Sequence, residues 1–228
     1  MALTLYHHPL SSFCHKVLIA LYENGTDFQP EVVDLGDPVS RAPLLAHWPV
    51  GKIPVLWDGD RQEAVPETSI IIEYLEQYHP GPVPLVPADP AQARAVRLWD
   101  RFFDLYVNQP MGRIVVDRLR PAGGADPIGV AQCRETLQQA YGIAERHLTG
   151  RTWVATETFS MADCAALPAL FYADIIEPFS ANHPQLAAYF ERLLARPACA
   201  RVLVEARPWL AYFPYREAVP ARFLDDPA

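Results

Sequence analysis

The chain has 228 residues, of which 50% are hydrophobic and 20% charged, and its formal net charge is -8 at pH 7. This length and apolar content support a well-buried core in one large domain or two small ones. The acidic balance argues against a nucleic-acid or anionic-membrane partner, because such partners require clustered Lys and Arg. No apolar run approaches the roughly 20 residues of a membrane span, and the N-terminus lacks a signal-peptide pattern, so we expect a cytoplasmic protein.

The first 80 residues predict a small α/β domain. Short apolar or β-branched runs alternate there with helical patterns, which predicts strands at 3–6, 28–34 and 54–57 and helices at 15–24 and 68–78. The pair Asp58-Gly59 predicts a hairpin whose second strand is short, near 63–65.

A hydroxyl and a thiol mark the start of the first helix, in the segment Ser11-Ser12-Phe13-Cys14. A helix start presents unpaired backbone N–H groups and the positive end of the helix dipole, so it favours an anion such as a thiolate. The segment therefore indicates a site for sulfur.

Two later elements also suit a bound peptide. Ile53-Pro54 precedes an apolar strand, which is compatible with a cis bond that turns the backbone outward; a simple edge-strand proline is the alternative. Glu67-Thr68 begins the next helix and offers a carboxylate for an ammonium group and a hydroxyl for a carboxylate, although an ordinary N-cap has the same pattern. Lys52 is suited to a second carboxylate or is a solvated surface charge.

The rest of the chain predicts a linker and a helical bundle. Five prolines fall between residues 79 and 90, a density that excludes a helix or central strand. One apolar face then follows helical spacing until Pro110 ends or kinks the helix, and its members are Val96, Trp99, Phe102, Phe103 and Tyr106. A second face of this kind ends near Gly150. Ser160 and Asp163 have the spacing of an N-cap pair, for which we predict a structural role.

The four cysteines are far apart, which indicates neither a disulfide framework nor a cysteine-only zinc site. Three of them lie among apolar residues in helical patterns and are predicted to be buried thiols: Cys133, Cys164 and Cys199. A metal site would have to use His7, His8, Cys14 and His15. Neighbouring strand side chains point to opposite faces and no distant ligand pair completes the set, so we expect no metal.

Together these elements resemble the glutathione transferase superfamily over nearly the whole chain. The resemblance rests on the order of residues 11–14, 51–56, 67–75 and 160–163 around a proline-rich linker. It implies a thioredoxin-like α/β N-terminal domain followed by an all-α helical bundle domain. We expect the glutathione-binding domain at 1–80, the linker at 81–90 and the helical domain at 91–228.

The resemblance also implies roles for single residues. Ser11 would hydrogen-bond the glutathione sulfur, Ile53 would pair with the peptide backbone beside a cis Pro54, and Glu67 with Thr68 would hold the γ-glutamyl end. Lys52 completes the expected glutathione-binding set.

Two positions depart from related patterns. Thr68 stands where the family usually has serine, and Ser11 stands where thioredoxin-like relatives have their nucleophilic cysteine. The second departure weakens disulfide chemistry and leaves Cys14 as a bystander. Ser12 is the nearest competitor to Ser11, and Tyr6, another hydroxyl, is expected in the core.

The function implied is a glutathione transferase that activates the thiol for attack on small, largely apolar electrophiles. A glutathione-dependent isomerase, reductase or dehalogenase on the same scaffold is one alternative, and a non-catalytic binding protein of the same fold is another. We expect the electrophile between the domains, near Tyr106, Val107, Arg113 and the aromatic residues of 209–215. The resemblance further implies a homodimer that uses the first helix after the linker and the region 67–78.

Overall fold

The N-terminal part is a four-stranded sheet with three helices. The structure, a computed structural model, describes residues 3–224. Its first elements are β1 (Leu3–His7), α1 (Ser12–Glu23), β2 (Gln29–Val32), α2 (Pro38–His47), β3 (Val55–Asp58), β4 (Glu63–Pro66) and α3 (Thr68–Tyr78). The strand order is β2-β1-β3-β4, with β2 parallel to β1 and the other pairs antiparallel. This is the predicted thioredoxin-like arrangement.

Helix α2 is absent from the sequence prediction. Asp37 caps it, because its carboxylate accepts from the backbone N–H groups of Val39 at 3.2 Å and Ser40 at 3.0 Å. Only Leu44 of this helix is buried, so the apolar periodicity that predicts the other helices is missing here.

The C-terminal part is helical. It consists of α4 (Pro90–Phe102), a π-helical segment (Phe103–Asn108), α5 (Gln109–Asp117), α6 (Pro127–His147), α7 (Met161–Ile176), α8 (Pro184–Leu194) and α9 (Pro197–Ala206), followed by short 3₁₀ turns. No helix within 3–224 is long and apolar enough to cross a membrane.

Helix α7 lies at the centre of this part and begins as predicted. Asp163 Oδ2 accepts from both the backbone N–H and the hydroxyl of Ser160, each at 2.9 Å. Its Oδ1 accepts from the Tyr189 hydroxyl at 2.6 Å. The predicted structural role of the Ser160–Asp163 pair is confirmed, and all four cysteines are buried and free.

The π-helical segment corrects the predicted helix after the linker. Val96 is buried as the spacing requires, whereas Tyr106 is 53% exposed. A π-helix has a wider turn, closed by i→i+5 bonds, so the face rotates between these positions. Pro110 lies in the first turn of α5, directly after the π-helical segment, and has no backbone N–H to donate to the preceding turn.

A buried ion cluster joins the two parts. Lys16 Nζ on α1 lies 2.6 Å from Asp100 Oδ1 and 2.9 Å from Asp104 Oδ2, and it donates to Ser69 Oγ at 3.0 Å. The Ser69 hydroxyl donates in turn to Asp100 Oδ2 at 2.6 Å. Burial raises the pKa of the Asp104 carboxyl despite the nearby ammonium. The cluster fastens α1 and α3 to α4 and the π-helical segment.

Candidate functional site

The first turn of α1 presents free hydrogen-bond donors. Ser11 is the N-cap, and its Oγ accepts from the backbone N–H of Cys14 at 3.3 Å. Its carbonyl oxygen accepts from the N–H of His15 at 3.0 Å. The N–H groups of Ser12 and Phe13 have no acceptor inside the helix, as is general for a first turn. The Ser11 hydroxyl accepts through oxygen, so its hydrogen remains available to an anion outside the helix.

Cys14 and Tyr6 lie behind this turn. Cys14 is fully buried, and burial raises the pKa of its thiol to about 12, so it is un-ionised at neutral pH. Tyr6 packs in a small core cluster with Val33, Leu44 and Val55, where burial raises the pKa of its phenol. Tyr6 is therefore a core residue, as predicted.

The five residues expected to bind glutathione lie around one cavity of about 590 Å³, here called the interface cavity. Its walls include Lys52, Ile53, Pro54, Glu67 and Thr68, although these residues come from two separate stretches of the chain. The Ile53–Pro54 peptide bond is cis, as the sequence prediction allowed.

Glu67 has an unusual backbone conformation at this cavity. It is the N-cap of α3 with φ 69° and ψ 123°, in a region that side chains with a Cβ rarely adopt. Such strain costs about 1–3 kcal/mol and is concentrated at ligand sites. The Glu67 carboxylate makes no capping hydrogen bond, so both it and the first N–H groups of α3 remain available to a ligand.

Three members of the ion cluster also line the interface cavity. They are Ser69, Asp100 and Asp104, and the sequence analysis missed all three. Asp100 and Asp104 are four residues apart, which places both carboxylates on one face of a helix. This spacing is the sequence signal that could have identified them. Their partner Lys16 has no such signal, because a lone lysine in a helical pattern indicates a solvent-exposed side chain.

Ser11 lies outside the interface cavity. Ser11 and Ser12 line a neighbouring cavity of about 330 Å³, the serine cavity. Ser12 and Phe13 line a third of about 420 Å³, the α5–α6 cavity, which shares Phe13 and Gln109 with the interface cavity. The α5–α6 cavity also shares Ser12, Gly112 and Val116 with the serine cavity, so it lies between the other two cavities.

The residues expected around an electrophile separate into two groups. Arg113 lines the α5–α6 cavity, and Phe213 with Tyr212 lines the serine cavity. Tyr106 and Val107 lie outside the walls of these three cavities, the first exposed and the second buried in the core. The change of helical phase in the π-helical segment accounts for the difference.

Family models match both parts of the chain. Residues 5–83 match the model "Glutathione S-transferase, N-terminal domain", and residues 107–197 match "Glutathione S-transferase, C-terminal domain". Among curated proteins, Glutathione S-transferase 3 of Zea mays is 33% identical over 86% of this chain and 90% of its own length. FtsZ-localized protein A of Caulobacter vibrioides is 32% identical over 91% of this chain and 93% of its own length.

Solved structures agree with these matches. A glutathione S-transferase from Methylobacillus flagellatus with GSH bound superimposes with a TM-score of 0.81 at 28% identity, over 88% of this chain and 98% of that one. A second glutathione S-transferase, from Methylobacterium radiotolerans in complex with glutathione sulfonate, superimposes with a TM-score of 0.78 at 29% identity, over 89% of this chain and 94% of that one.

Proposed function

Because this chain belongs to the glutathione S-transferase superfamily, we propose that it is a glutathione transferase that binds glutathione in the interface cavity and presents its thiolate to a small, largely apolar electrophile. The observation that carries this proposal is the convergence of Lys52, Ile53, Pro54, Glu67 and Thr68 on one cavity beside the first turn of α1. These groups complement the two charged ends and the peptide backbone of glutathione.

Each binding residue has a chemical role in this proposal. The Lys52 ammonium meets the glycine carboxylate, and the Ile53 backbone pairs with the central peptide. The Thr68 hydroxyl and the N-terminus of α3 meet the γ-glutamyl carboxylate, since a helix start favours an anion. The Glu67 carboxylate meets the ammonium group of the same residue.

The energy required for thiolate formation matches the available groups. Lowering a thiol pKa of about 8.5 by about 2 units requires roughly 2.7 kcal/mol. A hydrogen bond to a charged group contributes about 1.5–3 kcal/mol and a helix N-terminus about 0.3–1 kcal/mol. The Ser11 hydroxyl and the first turn of α1 therefore suffice without a base. Ser11 acts as a donor to the anion and not as a nucleophile.

A combined binding and product survey tests the proposal. Calorimetry with glutathione measures binding, and incubation with an aryl halide, an isomerisable double bond and a disulfide distinguishes a conjugate, an isomer and oxidised glutathione. The proposal predicts binding together with the conjugate. An isomer or oxidised glutathione as the main product would instead assign isomerase or reductase chemistry, and halide release without a retained conjugate would assign a dehalogenase.

One relative favours a non-catalytic alternative. A protein 32% identical to this chain is named FtsZ-localized protein A, so a member this similar carries a name that refers to localisation rather than to a transferase. For this chain, glutathione binding without any turnover would support a binding protein of the same fold.

We further propose a homodimer in the cytoplasm. Ile70 on α3 and Leu98 on α4 are large apolar side chains that are more than half exposed, and Ile70 also lines the interface cavity. A second copy of the chain would cover them. Sedimentation giving the mass of one 25.5 kDa chain would contradict the dimer. The free thiols fit a reducing compartment.

A further inference from the structure

The α5–α6 cavity is suited to the second substrate. It has a volume of about 420 Å³ and lies between the first turn of α1, helix α5 and the start of α6. Its shared wall with the interface cavity is Phe13 and Gln109, so a molecule bound here would lie beside a glutathione bound there. Apolar side chains form much of its wall, among them Phe13, Val116 and Val130.

Three hydrogen-bond donors face this cavity without a protein acceptor. They are the Ser12 hydroxyl, the Asn108 amide and the Arg113 guanidinium, and between residues 3 and 224 none of these side chains has a hydrogen bond or ion pair. Asn108 is only 4% exposed, and its Oδ1 is buried without a partner. An amide Oδ1 accepts hydrogen bonds, so in this orientation the unpaired atom would take a donor and not a carboxylate. Rotation of the amide presents its NH₂ group to an acceptor.

The other charges at the cavity are already paired. Arg120 Nε lies 3.1 Å from Asp117 Oδ1, which also accepts from the backbone N–H of Asp126 at 2.8 Å. Asp126 is the N-cap of α6, and its Oδ1 accepts from the N–H of Gly129 at 2.8 Å, where the helix dipole offsets its charge. The charge left without a partner is the Arg113 guanidinium.

We propose that the electrophile carries a carboxylate, which Arg113 binds. The apolar part of the electrophile lies against Phe13 and Val116. A guanidinium group matches a carboxylate with two parallel hydrogen bonds, and Asn108 and Ser12 supply further donors. The π-helical segment matters to this site because it ends at Asn108 and sets the phase at which α5 presents Arg113. This inference rests on the proposed transferase function and specifies its substrate class.

A matched pair of aryl chlorides tests it: 4-chloro-3-nitrobenzoate and its methyl ester. In each reaction the sulfur–carbon bond forms at the ring carbon, chloride leaves with the bonding electron pair, and the thiol proton passes to solvent. The ester group activates the ring more strongly than the carboxylate does, so each kcat/KM is divided by the rate constant of the uncatalysed reaction. With the native enzyme this ratio is expected to be at least tenfold higher for the carboxylate. Arg113→Gln is expected to remove that preference through KM for the carboxylate, with the ester within twofold of native. Arg113→Lys keeps the charge and is expected to restore part of it.

The control variant is Arg151→Gln, which removes an exposed arginine that follows α6 and is expected to match the native enzyme. Equal ratios of kcat/KM to the uncatalysed rate constant for the two substrates with the native enzyme, or an Arg113→Gln variant that lowers both ratios equally, would overturn the inference.

Calorimetry with 3-nitrobenzoate in the presence of glutathione separates this inference from the transferase function. Binding that weakens at least tenfold in Arg113→Gln supports the carboxylate site even if no conjugate forms. If 3-nitrobenzoate does not bind, or if its binding does not depend on Arg113, the carboxylate site is overturned. If binding depends on Arg113 but no conjugate forms, only the transferase function is overturned.

Discussion

The buried ammonium of Lys16 lies 2.6 Å from Asp100 Oδ1 and so fastens the helix that begins at the proposed thiolate site to the first helix of the second domain. Ser69, in the first turn of α3, joins the same cluster through Lys16 Nζ and Asp100 Oδ2. The two helix starts proposed to hold glutathione, those of α1 and α3, are thereby held at a fixed separation.

Removing the ammonium is expected to destabilise the fold severely. Lys16→Met leaves two buried carboxylates, Asp100 and Asp104, without their shared cation, and breaking a buried ion pair from one side costs about 3–5 kcal/mol. Denaturant unfolding measures the loss, with the exposed Arg151→Met as control. A loss below about 1 kcal/mol would mean that the cluster contributes little to stability.

Replacing Glu67 by glycine is expected to separate stability from binding. Relief of the positive φ stabilises the folded state by about 1–3 kcal/mol, whereas the greater backbone entropy of unfolded glycine destabilises it by about 1 kcal/mol. The free energy of unfolding is therefore expected to stay level or to rise. The glutathione KM is expected to rise at least tenfold because the carboxylate is lost. Glu67→Gln keeps the strain and serves as the control for charge. A clear loss of stability together with an unchanged KM would contradict this account.

Stability is expected to fall in mild acid because His7 and His15 are buried. Burial lowers the pKa of each imidazole to about 4, against about 6.5 when unfolded. Between these values the unfolded chain binds more protons, so stability is full above about pH 6.5 and is lost as the pH falls toward 4. At pH 5 the loss is about 2 kcal/mol for each histidine.

A His7→Leu variant isolates the contribution of one ring. Between pH 7 and pH 5 the native protein should lose about 2 kcal/mol more unfolding free energy than this variant does. The carboxyls whose pKa is raised by burial, Asp104 and Asp163, are present in both proteins and cancel in the comparison. Parallel pH curves for the two proteins would show that His7 is not held neutral.

Features with a local sequence signal were predictable. The Ser160–Asp163 pair, the hairpin at Asp58-Gly59 and the helix from Thr68 to Tyr78 all appear where the sequence predicts them. Each depends on contacts within a few residues. The local patterns predicted a small α/β domain before residue 80, whereas its thioredoxin-like architecture was implied by the family resemblance.

Features set by distant contacts were not predictable. Lys16 resembles a surface residue until Asp100 and Asp104, more than eighty residues later, are brought against it. The π-helical segment depends on packing between helices and moves Tyr106 out of the core. The positive φ of Glu67 requires the surrounding backbone to impose it, because no residue preference favours it.

Ser11 is the proposed hydrogen-bond donor to a glutathione thiolate. Ser11→Ala is expected to reduce conjugation of a generic aryl halide at least tenfold while glutathione binding stays largely intact, since the binding groups lie in the interface cavity. With a halide that carries no carboxylate, Ser12→Ala is the matched control, because both serines line the serine cavity.

The most direct measurement is the pKa of the bound thiol, followed by thiolate ultraviolet absorbance as the pH is raised. The native complex and Ser12→Ala are expected to titrate about 2 units below free glutathione, and Ser11→Ala to return close to the value of the free thiol. A depressed thiol pKa that survives in Ser11→Ala, or that is lost only in Ser12→Ala, would contradict the account.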